Sequence, residues 1–270
     1  MSGWEAAHLK PSHDYPIKPA ASLKKWMTLI LFLVLLWLSA RQTEVSFGEL
    51  FYGIPEMGKF FAKMFPPDWS YFQVVIKPMV ETIQMAILGT TFGALFALPI
   101  VFFAAGNVTK SWTLRTPARV ILNLCRTIPD LLFAALFAAV VGYGPLAGTL
   151  ALIFFSFGIL SKWAYEAIET IDNGPLEAMT AVGANKLQWI YFGVIPQVIA
   201  QFVGFVMYMF EINIRAAAIL GIVGAGGIGI YLNRTLGMFR YDQTVIIILL
   251  TLAIVLVIDA ISTRIRGKLI

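Results

Sequence analysis

Four ionisable residues stand inside long apolar stretches of this 270-residue chain, at spacings that let them act in pairs. Arg126 and Asp130 are four residues apart, as are Glu211 and Arg215, with Asn213 between the second two. On a continuous helix this spacing puts opposite charges on one face, where each pair neutralises itself. In hydrocarbon an ionisable side chain costs roughly 2.5–3.5 kcal/mol on insertion scales, and it is kept mainly where it faces a partner or a water-filled path. The pairs therefore either brace helices or line a route for a charged solute. For any one residue the spacing leaves both readings open, while four such positions in two segments favour a lined cavity. Asp130 and Glu211 are also candidate proton carriers.

The elements that must position these groups are membrane spans. Hydrophobic residues make up 59% of the chain and charged residues 13%, and mean hydropathy is +0.80, well above the balance of soluble domains. Six apolar segments, 26–40, 80–105, 118–141, 146–163, 190–221 and 245–261, predict an all-α membrane protein with about six transmembrane helices. Residues 1–25 read as a cytoplasmic N-terminal segment and 26–270 as one transmembrane domain. The run after residue 26 leads into Arg41 and Gln42 rather than a cleavage site, so it reads as a retained span. Within 45–66, apolar residues from Phe47 to Phe65 recur at helical spacing among Glu49, Glu56, Lys59 and Lys63, which predicts an extracytoplasmic amphipathic helix.

The charges set the orientation and narrow the chemistry. With both termini inside, Lys10, Lys18, Lys24, Lys25, Lys110, Arg115, Arg119, Lys162, Lys186, Arg264, Arg266 and Lys268 fall on the cytoplasmic side, and fewer basic residues fall outside. These residues are dispersed between apolar runs, so the net charge of +5 points to membrane topology and not to nucleic acid. Cys125 is the only cysteine, and His8 and His13 both lie in the N-terminal segment. The body of the chain thus has no disulfide, no metal cluster and no histidine base to activate a hydroxyl nucleophile. An intramembrane hydrolase loses its support there.

One polar stretch, residues 173–184, interrupts the apolar body. Asn173 or Gly174 can cap a helix, Pro175 suits its first position, Glu177 suits the first turn, and Gly183 suits a left-handed stop. The pattern predicts about two turns of free-standing helix on the cytoplasmic side, with Ala178 and Ala181 forming a small-residue surface that a partner can approach. Gly89 and Gly93 form a second small-residue face, inside a span. Gly224, Gly226 and Gly229 spell G-x-G-x-x-G, yet no strand pattern precedes them and no acid follows at about 20 residues, so a dinucleotide site is excluded. With Gly221 and Gly227, these glycines read as a helix break that packs tightly, an outer gate between two copies of the chain.

Glu177-Ala178, Gly183 six residues after Glu177, and Ile195-Pro196 resemble the EAA loop of ABC importer membrane subunits, with Met179 where a second alanine is usual. The stretch from Arg126 to Leu132, and Glu211-Ile212-Asn213-Ile214-Arg215 leading into Leu220 to Gly229, are similar to phosphonate-class permeases. That resemblance runs from about Phe65 to the C-terminus. Methionine-importer permeases share the Ile-Pro stretch and the glycine-rich end, but typically lack the acid matching Asp130 and the Glu-x-Asn-x-Arg pattern.

The resemblance implies a type I importer permease fold in a bacterial inner membrane, working by alternating access. It implies coupling to the ATPase by Pro175, Glu177, Ala178, Ala181 and Gly183, and a substrate pathway including Arg126, Asp130, Glu211, Asn213 and Arg215. The cargo implied is phosphonate or a related phosphorus oxyanion such as phosphite or hypophosphite. Implied partners are a second permease copy, two ATPase subunits that bind ATP and Mg, and an extracytoplasmic substrate-binding protein; this chain itself holds no cofactor. A proton-coupled secondary transporter and a methionine-type permease are the alternatives.

Overall fold

A computed structural model describes residues 22–43 and 47–269. His8, His13, Lys10 and Lys18 lie outside the described residues. Helices α1 (Ser22–Gln42), α2 (Phe47–Ala62), α3 (Phe72–Ala104), α4 (Trp112–Thr127), α5 (Asp130–Val141), α6 (Pro145–Glu169), α7 (Gly174–Ala181), α8 (Lys186–Gln188), α9 (Ile195–Leu220), α10 (Ile228–Gly237) and α11 (Tyr241–Leu269) follow in order, with no strand among the described residues. A π-helical turn, Trp189–Val194, joins α8 to α9. Among the described residues, five helical stretches are long and apolar enough to cross a membrane, and a sixth crossing is reached if the bent pair α4–α5 counts as one.

The chain divides into two units, Met1–Lys59 and Phe60–Ile270. In the first, α1 runs unbroken through the boundary expected at residue 25, because nothing in Leu23-Lys24-Lys25-Trp26 stops a helix. The amphipathic segment expected at 45–66 is helical over Phe47–Ala62, with Lys59 paired to Glu56 across one turn at 2.5 Å.

The second unit is organised by the crossing of α3 and α6. An ideal Cβ on Gly89 would fall 2.5 Å from Leu152 Cβ, and one on Gly93 would fall 2.5 Å from Ser156 Cβ. The small-residue face read from the sequence is therefore a contact surface, where the absence of side chains lets two spans touch. One core cluster gathers Ala97, Val101, Leu160, Ile168 and Met209 from α3, α6 and α9, and a second gathers Met85, Phe133, Leu152 and Leu220. Gly89→Ala should destabilise this crossing by about 1–3 kcal/mol through overpacking, read as a lower unfolding temperature of the detergent-solubilised protein. An unchanged unfolding temperature would show that the helices have room to separate.

The segment expected at 118–141 as one span is instead two helices meeting at 90°. Pro129 has no N–H to donate, and it drives the preceding Ile128 into an extended conformation, φ −82° and ψ 121°. Helix α5 then restarts with the Leu132 and Phe133 N–H groups donating to Pro129 O. This break removes the shared helix face on which Arg126 and Asp130 were expected to neutralise each other.

Candidate functional site: the polar loop and the intramembrane charges

Helix α7 begins and ends much as its residues dictate. Asp172 rather than Asn173 supplies the cap, its Oδ1 accepting from Gly174 N at 3.0 Å, and Pro175 sits in the first turn, where its missing N–H costs nothing. At the other end Gly183 takes φ +75°. Gly183 N donates to Thr180 O and Ala184 N to Met179 O, the paired bonds of a Schellman motif. Asn185 and Gln188 form a reciprocal capping box that starts the next helix.

The helix is not free-standing, which corrects the expectation from its polarity. Leu176 is 5% exposed, and its carbonyl accepts from Trp189 Nε1 at 3.0 Å. Gly193 on the π-helical turn leaves the room that Leu176 fills, since an added Cβ there would meet Leu176 Cδ2 at 2.9 Å. The Gln197 amide holds both sides of the Asp172 backbone, accepting from its N–H at 3.1 Å and donating to its carbonyl at 3.2 Å. Lys186 Nζ donates to Val108 O, 2.6 Å away, tying the loop to the α3–α4 connection. That connection is itself fastened to the end of α6, where Glu169 pairs with Arg119 and accepts from Gly106 N at 2.7 Å.

The opposite side of the same loop is open. Pro175, Glu177, Ala178, Ala181 and Gly183 are all exposed, and so are Val182 at 75% and Leu187 at 78%. One face is thus gripped by the chain's own spans, and the other presents small and apolar residues around one acid.

The intramembrane charges are arranged differently from the two expected pairs. Arg126 is exposed at the end of α4, and Asp130 Oδ1 accepts from Leu131 N at 2.8 Å, at the start of α5. No ion pair joins them among the described residues. The second pair does form: Arg215 Nη1 lies 2.8 Å from Glu211 Oε1. Glu211 is 7% exposed and the Arg215 side chain 48%. Arg266, read from the sequence as a topology charge, approaches the other carboxylate oxygen at 3.8 Å and lies over the Tyr208 ring. Only folding brings α11 beside α9, so no local pattern announced this contact.

Asn213, expected with the pathway residues, is fully buried. Its Nδ2 donates to Thr90 Oγ1 at 2.8 Å and to Ser156 Oγ at 2.7 Å, joining α9 to α3 and α6. In this conformation Asn213 braces three helices.

The glycine segment breaks the chain as expected, and it is held from α3 and the α5–α6 turn. Gly227 N donates to Glu81 Oε1 and Ile228 N to Thr82 Oγ1, each at 2.8 Å. Gly144 N donates to Gly224 O at 2.9 Å. Gly221 and Gly229 approach so closely that a Cβ on Gly221 would lie 2.4 Å from the Gly229 backbone, while Gly224 and Gly226 take positive φ beside Tyr143 and Pro145.

Residues 89–270 match the family described as binding-protein-dependent transport system inner membrane component. The chain is 39% identical over 214 residues to the phosphite transport system permease protein PtxC of Stutzerimonas stutzeri, covering 79% of this chain and 78% of the relative. It is 35% identical over 217 residues to the phosphate-import permease protein PhnE of Mycolicibacterium smegmatis, covering 80% of this chain and 41% of that longer relative. Among solved structures, the inward-facing MetNI methionine ABC transporter aligns with a TM-score of 0.66 at 20% identity, over 75% of this chain and 99% of that one. At that identity the likeness concerns the fold alone.

Proposed function

We propose, since this chain belongs to the family of binding-protein-dependent transport system inner membrane components, that it is the permease subunit of an ABC importer for a phosphorus oxyanion, phosphonate or phosphite. The observation that carries this is the two-sided coupling loop: Leu176 buried against Trp189 and Gly193, with Glu177, Ala178 and Ala181 turned outward. A separate ATPase subunit grips the outward side. ATP and Mg belong to that subunit, since no Walker sequence occurs here. When nucleotide closes the ATPase pair, the displaced α7 pulls on α9 through Gln197 and on the α3–α4 connection through Lys186. Motion at the loop thereby becomes alternating access in the spans.

Six crossings supply half a pathway. Two copies about a two-fold axis, each on one ATPase subunit, complete it, with both termini cytoplasmic and a binding protein delivering cargo outside. The half-exposed Arg215 and the exposed Arg126 supply transient positive potential to an anion, while Glu211 keeps binding weak enough for release. Asp130 stands near the bend of α4–α5, and the glycine segment forms the outer gate. The relatives named for phosphite and phosphate support this cargo class over methionine. The proton-carrier alternative is disfavoured by Glu211, whose two oxygens are each approached by a guanidinium.

The test is to reconstitute the chain with candidate ATPase and binding proteins and compare ATP hydrolysis with phosphonate, phosphite, phosphate and methionine. Stimulation by phosphorus oxyanions, indifferent to an uncoupler, is expected. Stimulation by methionine alone, or uptake abolished by the uncoupler, would overturn the reading.

A further inference from the structure

A cavity of about 430 Å³ opens between the α3–α4 connection and the coupling loop, lined by Asn107, Val108, Lys110, Thr180, Ala184, Lys186 and Trp189. Two lysines line it and no carboxylate does. Among the described residues neither lysine has an ion-pair partner. Two like charges facing one cavity without an acid repel, and an anion between them relieves that repulsion.

The lysines differ in how they are held. Lys186 spends one N–H on Val108 O at 2.6 Å and stands 4.2 Å from the Trp189 ring centroid, which fixes its ammonium with two N–H donors left over. Lys110 is exposed and makes no hydrogen bond among the described residues, so it can swing onto a ligand. Asn107 Nδ2 is anchored on Ile168 O at 2.6 Å, and its buried Oδ1 accepts no hydrogen bond.

We infer that this cavity binds a phosphate-class oxyanion, either a free anion or the headgroup of an anionic phospholipid. The chemistry is shared by both, and the expected cytoplasmic placement of Lys110 and Lys186 puts the cavity within reach of anionic lipid. Occupancy ties the C-terminal turn of α7 to the α3–α4 connection, and so reports anion availability to the element that receives the ATPase stroke. The inference rests on the coupling-loop reading and not on the identity of the transported cargo.

The experiment uses the assembled importer in phosphatidylcholine vesicles, with Cys125→Ser and Thr180→Cys introduced so that a single thiol reports on the cavity. A negatively charged thiol reagent should react on the order of threefold to tenfold faster than a positively charged one of similar size. Adding Lys110→Gln should weaken that preference, the Lys186 charge remaining. Millimolar phosphite should slow labelling only when Lys110 is present. Protection by phosphatidylglycerol in place of phosphite identifies the lipid as the source, and protection by phosphite identifies the free anion. Equal rates for the two reagents, protection that persists without Lys110, or protection by the ATPase subunit alone through its acidic side chains would each overturn the site. Labelling needs no transport, so failure of phosphite uptake with protection intact would count against the cargo and not the cavity.

Discussion

Gly183→Val should leave ATP hydrolysis by the assembled importer running while cargo uptake falls by about 5- to 30-fold. The residue holds φ +75° at the C-terminal stop of α7, a conformation that costs an L-residue roughly 1–2 kcal/mol and costs a β-branched one more. That penalty is comparable to the Schellman bonds from Gly183 N and Ala184 N, so the turn opens and the outward face loses its geometry. A difference of 1–2 kcal/mol changes a population about 5- to 30-fold. Since nothing lies within 4 Å of an added Cβ, the effect is conformational and not a clash. Measuring hydrolysis and uptake on one preparation decides the matter: hydrolysis and uptake that stay in their normal ratio would show that α7 is not the coupling element.

The second large effect concerns the buried carboxylate. Arg215→Ala alone should allow assembly, because Arg266 remains near Glu211, yet should reduce uptake at least tenfold if the half-exposed guanidinium attracts the anion. Removing both arginines leaves Glu211, 7% exposed, with no cation, and stranding a buried charge in this way costs about 3–5 kcal/mol. The Arg215→Ala/Arg266→Ala permease should therefore fail to assemble. Adding Glu211→Gln removes the stranded charge and should restore assembly without restoring uptake. Recovery of uptake along with assembly would mean that the three charges brace the helices and that the pathway lies elsewhere. Size-exclusion profiles and uptake by the same vesicles separate the two outcomes.

Much of the fold was legible because lipid imposes strong local rules. Apolar runs long enough to cross hydrocarbon announced the spans, and the Gly89–Gly93 spacing announced a helix contact. The break inside α4–α5 was written at Ile128-Pro129 but was overridden by the continuous hydrophobicity around it, which carries no information on bending. The first and last turns of α7 were nearly readable, since capping involves residues only two to five positions apart.

By itself, the amino-acid sequence determined an all-helical membrane chain with a capped polar helix near residue 180 and ionisable groups within its spans. Tertiary structure alone decided which of those groups meet. It gave Glu211 a second arginine from α11, turned Asn213 into a brace for α3 and α6, and set Lys110 beside Lys186. The physical reason is range: periodicity and capping act over a few residues, whereas these contacts depend on how whole helices cross.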